Sequence, residues 1–130
     1  MNRLIYIIDD DPIVLLLTTK LLERHSNFIE TKQFRNGLEA INKLRVVVEN
    51  NEKLPDLILL DLNMPVLDGW QFLEAFNLLK TNTDTPIYVV TSSIDSADIE
   101  KARTAIPPLK GYIMKPINEQ KLLEIQELNN

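Results

Sequence analysis

Directly after Pro55-Asp56 come four consecutive apolar residues, Leu57-Ile58-Leu59-Leu60, and they end on Asp61. A run this short and apolar at every position reads as a strand buried on both faces, the pattern of a central strand in a parallel sheet. Such a strand needs sheet neighbours on both sides and helices above and below it, which points to an α/β architecture. Asp61 stands at its carboxyl end, where open α/β sheets hold their ligand crevices. An acid is costly to bury unpaired, so Asp61 requires solvent, a cation or a cluster of donors.

The rest of the chain supplies the neighbours. Leu4–Ile8 is a second short apolar run, followed by Asp9-Asp10-Asp11-Pro12. Asp11 as N-cap with Pro12 in the first turn starts a helix to about Arg24, with Ile13, Leu16, Leu17 and Leu21 as its expected buried stripe. Phe28–Phe34 is a more polar strand suited to a sheet edge. Asn36 and Glu39 resemble a capping box before a helix with Leu38, Ile41, Leu44 and Val48 on one face. Glu49–Lys53 is a polar loop. Beyond Asp61, Met64-Pro65 breaks the strand and Asp68-Gly69 turns into a helix marked by Phe72, Leu73, Phe76 and Leu79. Ile87–Val90 is another apolar strand ending in Thr91-Ser92-Ser93. Asp95 caps a fourth helix that Pro107-Pro108 must end. Gly111–Met114 forms a fifth strand running into Lys115-Pro116, and Asn118 caps a final helix carrying Leu122, Ile125 and Leu128.

Five strands alternating with five helices predict a parallel sheet covered on both faces by right-handed crossovers. The strand ends then line up along one sheet edge: Asp9-Asp10, Asp61, Thr91 and Lys115. Asp11 and Asp68 read as structural, a helix cap and a turn former.

Composition narrows the chemistry. With 130 residues, 45% of them apolar, the chain suits one domain with a proper core. A net charge of −5 and no basic block argue against direct nucleic-acid binding. Cys is absent and His25 is the single His, so thiolate metal sites and His catalysis are set aside. No run approaches the roughly 18 apolar residues of a membrane span, and a soluble, cytoplasmic protein is expected.

Asp9, Asp10 and Asp61 cannot converge without help. Two like charges ~4 Å apart repel by about 4 kcal/mol at an effective dielectric near 20, so such a cluster protonates or recruits a cation. Oxygen ligands alone select a hard ion, Mg²⁺ with Mn²⁺ as substitute. Mg²⁺ bound by one or two carboxylates commonly holds a phosphate oxygen as well. The Thr91 hydroxyl and Lys115 ammonium are suitable donors to that phosphate.

The set Ile7-Ile8-Asp9-Asp10-Asp11-Pro12, Leu59-Leu60-Asp61-Leu62-Asn63-Met64-Pro65 with Asp68-Gly69, Val89-Val90-Thr91-Ser92 and Tyr112-Ile113-Met114-Lys115-Pro116 resembles the receiver domain of two-component response regulators. The resemblance spans essentially the whole chain. It implies a flavodoxin-like (βα)5 fold of strand order 2-1-3-4-5; a chemotaxis receiver is among the general examples of that order. It also implies that Asp61 is the phosphoacceptor. Asp10 would ligate Mg²⁺ directly, Asp9 mainly through water, and Asn63 through its backbone carbonyl. Lys115 would pair with the phosphoryl group and Thr91 would donate to it. Ser92 fills a position kept small beside the phosphate, Tyr112 is the aromatic coupled to Thr91, and Lys115-Pro116 is often cis. Phosphorylation would draw Thr91 inward, with Tyr112 filling the vacated space. Asn63 and Ser93 match positions that tune dephosphorylation.

The implied partners are a sensor histidine kinase or histidine phosphotransfer protein as donor and a downstream protein target. The implied state is a monomer or a phosphorylation-dependent dimer. Residues 1–130 are read as one receiver domain without an output domain. The segment Ala105–Lys110 departs from the small, Gly-containing connection usual before the fifth strand, which bears on the length of helix four. A phosphohydrolase with an aspartyl-phosphate intermediate, of the haloacid-dehalogenase kind, wants an acid two residues past the nucleophile, where Asn63 stands. A flavodoxin-like binding module with no phosphorylation role predicts a missing acceptor or lysine, and both are present. A signalling protein, not a turnover enzyme, is the reading that remains.

Overall fold

A computed structural model of the chain describes residues 2–79 and 84–129. Its frame is a five-stranded parallel sheet of order β2-β1-β3-β4-β5. The strands are β1 (Arg3–Ile8), β2 (Ile29–Phe34), β3 (Leu57–Leu60), β4 (Ile87–Thr91) and β5 (Gly111–Met114). The helices are α1 (Pro12–His25), α2 (Gly37–Glu49), α3 (Gly69–Leu78), α4 (Ser96–Arg103) and α5 (Glu119–Leu122), followed by a short 3₁₀ turn at Gln126–Leu128. The parallel, helix-covered sheet expected from the alternation and the 2-1-3-4-5 order implied by the resemblance are both observed, with the polar strand β2 at one edge and β5 at the other.

Strand periodicity divides the core into two layers. Leu4, Tyr6 and Ile8 of β1 join Ile58 and Leu60 of β3 in one layer, under α2 and α3. Ile5 and Ile7 join Leu57 and Leu59 in the other, with α1 and the C-terminal segment. A fully buried Leu or Ile contributes about 1.5–3 kcal/mol relative to exposure. All four residues of β3 are buried, which makes this strand the hinge of both layers.

Four helix starts carry the Asp or Asn cap expected from sequence, and a fifth is capped by a residue read only as a turn former. Asp11, Asn36, Asp95 and Asn118 accept backbone N–H bonds at the starts of α1, α2, α4 and α5. Asp68 forms a full capping box with Gln71 at α3. At α2 the reciprocal arm falls short of a box: Glu39 accepts from the Arg35 N–H at 3.4 Å instead of from Asn36.

Helix faces were less well read. On α1 the buried residues are Leu15, Thr18, Thr19 and Leu22, whereas Ile13, Leu16 and Leu17 are 65%, 54% and 51% exposed. Three of the four residues of the expected stripe are therefore turned away from the sheet, while Leu21 is half-buried against the core. The run Leu15-Leu16-Leu17 is apolar nearly all round, so spacing alone does not select a face; packing against β1 and β2 does. Gln33 donates to the buried Thr19 hydroxyl at 2.6 Å, which fastens this face to β2. On α2, Ile41 and Leu44 are buried as expected, but Leu38 is exposed, Val48 is only half-buried and Val47 takes its place in the core.

Two further corrections fall at the C-terminal end. Helix α4 stops at Arg103, ahead of Pro107-Pro108, and none of its residues is buried. The final helix is split: α5 has one turn, and Ile125 and Leu128 reach the core from the following loop and 3₁₀ turn. The Ile106–Pro107 and Lys115–Pro116 bonds are cis. Among the described residues, no helix is long and apolar enough to cross a membrane.

Candidate functional site

Sheet register builds the site. Ile8 pairs with Leu60, so Asp9 and Asp61 leave adjacent strands at the same level. The ladder continues past the strand ends: Asp61 N–H donates to the Ile8 carbonyl at 2.9 Å, and Asp9 N–H to the Phe34 carbonyl at 3.0 Å. On the other side Thr91 pairs with Met114, and Lys115 N–H donates to the Thr91 carbonyl at 2.9 Å. Four separate segments thus deliver their functional side chains to one edge.

Carboxylate oxygens of Asp9, Asp10 and Asp61 lie within 4.8 Å of one another, with Asp9 and Asp61 buried and Asp10 exposed. Asp9 is held on both oxygens. Oδ1 accepts from Asp11 N–H at 2.9 Å, and Oδ2 lies 2.7 Å from Lys115 Nζ. Asp61 Oδ1 accepts from Leu62 N–H at 2.9 Å, and its Oδ2 lies 3.5 Å from the same ammonium. Lys115 therefore bridges the two buried acids.

The charges are tuned accordingly. Burial pushes Asp9 above the usual carboxylate range, against the lowering effect of the Lys115 hydrogen bond. Burial and then the Asp9 charge raise Asp61, while Lys115 and a hydrogen bond from Thr91 pull it down. Burial alone would depress Lys115, but the Asp9 hydrogen bond and the Asp61 charge outweigh it and hold the ammonium above its ordinary value. Two desolvated acids on one lysine are short of positive charge, and an all-oxygen set of three carboxylates suits a hard divalent cation.

Gly69 supports Asp61 from below. A Cβ there would lie 2.6 Å from the Asp61 carbonyl oxygen and 2.8 Å from Leu62 Cα, so no larger residue fits without moving the backbone that carries Asp61. Between them, Leu67 N–H donates back to the Pro65 carbonyl at 2.8 Å across Val66, whose φ of 70° is the left-handed region that β-branched residues avoid. Strain of this kind concentrates at functional sites.

The remaining residues expected at the site are also placed. Thr91 is fully buried, and its hydroxyl oxygen accepts from the Ser93 N–H at 3.3 Å. Asn63 and Ser92 are exposed beside it, Tyr112 is half-buried, and the cis Pro116 follows Lys115. Sequence reasoning missed Asp98. It accepts from Ser93 Oγ at 2.7 Å and from Trp70 Nε1 at 3.1 Å. Nothing in its helical, charged surroundings distinguishes Asp98 from a solvated acid until the fold brings α3 and α4 together.

Comparison with known proteins agrees with this geometry. A family model described as the response regulator receiver domain matches residues 5–127. The polar-differentiation response regulator DivK of Brucella anthropi is 32% identical over 127 residues, covering 95% of this chain and 93% of DivK. A longer DNA-binding response regulator is matched over 48% of its length. Chemotaxis protein CheY4 of Vibrio cholerae superposes with a TM-score of 0.80 at 22% identity, over 98% of each chain. The receiver domain of sensor histidine kinase PA1611 of Pseudomonas aeruginosa, whose structure has a magnesium ion in the active-site cleft, gives 0.80 at 20% identity over the full length of both.

Proposed function

This chain belongs to the response regulator receiver domain family of two-component signalling, and from that membership we propose that Asp61 is its phosphoacceptor. Members of the family are signalling proteins rather than turnover enzymes. The observation that carries the reading is the convergence of Asp9, Asp10 and Asp61 within 4.8 Å beside a lysine that bridges two of them.

The Asp61 carboxylate acts as nucleophile on a phosphoryl group carried by a phosphohistidine of a sensor kinase or phosphotransfer protein. A P–O bond to Asp61 forms as the P–N bond to the donor imidazole breaks, and the imidazole leaves with the electron pair. Lys115 Nζ stands where it can pair with the arriving phosphoryl oxygens, and Thr91 presents a hydroxyl to them. Such transfer depends chiefly on positioning and charge stabilisation, and the buried, raised acids provide the first while lacking the second. Asp9, Asp10, Asp61 and the backbone carbonyl of Asn63 would hold Mg²⁺, with Mn²⁺ as substitute, and the ion would neutralise charge on the transferred group. Ser92 leaves room at the rim, and Tyr112 and Pro116 frame the Thr91 and Lys115 side.

The exposed face of α1 supports a protein donor. Ile13, Leu16 and Leu17 form an apolar strip that starts two residues past Asp11, at the mouth of the acid cleft. A phosphodonor protein seated there has its histidine at the cleft. Phosphorylation then switches contacts with a downstream protein or passes the phosphoryl group along a relay.

The test is phosphate uptake. Incubated with Mg²⁺ and acetyl phosphate, the protein is expected to gain one phosphoryl group by intact mass, and Asp61→Asn to gain none. Equal uptake by both proteins would remove Asp61 from the role. Rapid multiple turnover of a small phosphate ester would instead favour an enzyme.

A further inference from the structure

The loop that follows Asp61 is closed by its own backbone. Gly69 N–H donates to the Leu62 carbonyl at 2.9 Å and ties the two ends together, and Leu67 N–H turns back onto the Pro65 carbonyl at 2.8 Å. Leu62 and Met64 are buried. Within this ring Val66 holds a φ of 70°, and a β-branched residue stays in that region only where its surroundings over-determine it. Part of that determination comes from outside the loop, from the start of α2. Gly37 is the first residue of α2, so its N–H has no acceptor within the helix. It donates instead to the Leu67 carbonyl at 3.0 Å, one residue past Val66. The approach requires glycine: a Cβ at Gly37 would lie 2.7 Å from the Leu67 carbonyl oxygen and 3.2 Å from Phe72 Cβ in α3. The loop thus runs between two glycine contacts, Gly37 against Leu67 and Gly69 against the Asp61 carbonyl.

We infer that Gly37 is a positioning residue for the acid cleft: its N–H and its missing side chain fix the loop that carries Asn63, and through that loop they set the affinity of the cleft for Mg²⁺. The inference rests on the reading of Asp9, Asp10, Asp61 and the Asn63 carbonyl as the metal's ligands. None of those ligands belongs to α2, so the effect runs through the chain. Leu67 lies between Asn63 and Gly69 in sequence, and the Gly69–Leu62 bond closes the loop around it. Leu67 therefore cannot be displaced without turning the peptides on both sides. A side chain at Gly37 would push Leu67 toward Asn63 in one direction and, by way of Gly69, toward the Asp61 backbone in the other. Mg²⁺ demands near-ideal octahedral geometry. A carboxylate can meet that demand by rotating its side chain, whereas a backbone carbonyl moves only with its loop. Asn63 is thus the ligand most exposed to an error at Gly37.

Coupling of this kind is reciprocal: if the Gly37–Leu67 bond favours the metal-binding loop, the metal strengthens the bond. In the wild type, Mg²⁺ added alone is expected to slow hydrogen exchange at the Gly37 amide, a readout that needs neither a variant nor phosphorylation. Gly37→Ala is expected to bind Mg²⁺ about 5-fold or more weakly by isothermal titration calorimetry, and its acetyl phosphate uptake to shift to higher Mg²⁺ by the same factor. Gly111→Ala is the control. A Cβ there would lie 2.8 Å from the Tyr88 ring, a comparable clash at the end of β5 remote from Lys115. It is expected to lower the urea midpoint as Gly37→Ala does and to leave Mg²⁺ affinity unchanged. Wild-type Mg²⁺ affinity in Gly37→Ala overturns the positioning role, and an equal loss in Gly111→Ala does the same by making the effect one of stability. Where Gly37→Ala fails to fold, a Gly37 amide in the wild type whose exchange ignores bound Mg²⁺ overturns it. Absence of Mg²⁺ binding by the wild type overturns the metal reading and the inference with it. Absence of phosphoryl uptake by a wild type that binds Mg²⁺ overturns the phosphoacceptor reading alone.

Discussion

At the scale of single residues, the site depends on groups that tolerate one another only because others hold them. Asp9 and Asp61 are desolvated and share one lysine, an arrangement poor in stability and suited to capturing a cation and a phosphoryl group. Gly69 is the least conspicuous participant. Its sequence context, Asp68-Gly69, reads as an ordinary turn, and Asp68 does cap α3. Yet the glycine is required by close approach, since a Cβ would collide with backbone at Asp61 and Leu62. Gly69→Ala is expected to cost about 1–3 kcal/mol, the range for forcing atoms into a packed site, and to slow acetyl phosphate uptake because the strain falls on the peptide of Asp61, the proposed acceptor. Urea unfolding and intact-mass kinetics measure the two effects, and a variant as stable and as quickly phosphorylated as the wild type would contradict the account.

At the scale of elements, α1 and α4 are the informative helices because neither is what its spacing suggests. On α1 the sheet takes Leu15 and Leu22 and leaves Leu16 and Leu17 outside. Leu22→Ala is therefore expected to destabilise by about 2–5 kcal/mol, and Leu16→Ala by about 0.5 kcal/mol or less, by urea titration. Comparable losses would mean that the two faces had been assigned wrongly. If the exposed strip receives the phosphodonor, Leu16→Ala slows transfer from the donor protein while leaving uptake from acetyl phosphate unchanged. On α4 polar anchors replace apolar packing, and such helices are the ones that move at low cost.

For the whole molecule, stability and function pull in opposite directions over pH. Asp9 and Asp61 have folded-state values raised above the ordinary 3.8. Their contribution to stability is thus fully present below about 3.8 and is lost as pH rises through the raised values. Lys115, raised above its ordinary 10.5, contributes below that value and so does not offset the change across the acid range. A divalent cation reverses the sign for the two acids, because it binds the ionised carboxylates. The Mg²⁺-induced rise in Tm is expected to grow as pH climbs through the acid window; Mg²⁺ at a hundred times its Kd contributes about 2.7 kcal/mol. Thermal unfolding with and without Mg²⁺, in the wild type and in Asp10→Asn, checks this. An equal Mg²⁺ response in Asp10→Asn would show that the ion binds elsewhere.

The sequence determined the class of fold and the chemical content of the site. All-apolar strands, an Asp or Asn at every helix start and functional residues immediately after strand ends are local signals, and a parallel sheet must bring such ends to one edge. That is why Asp9, Asp61, Thr91 and Lys115 were legible together. Tertiary structure decided what local signals leave degenerate. A leucine-rich helix presents several apolar faces, and only docking against β1 and β2 chose the one through Leu15 and Leu22. The last helix breaks after one turn because Ile125 and Leu128 are drawn into the core as separate anchors. Asp98 and Trp70 meet across 28 residues of chain, a contact no spacing rule reports, since it exists only once α3 and α4 lie side by side.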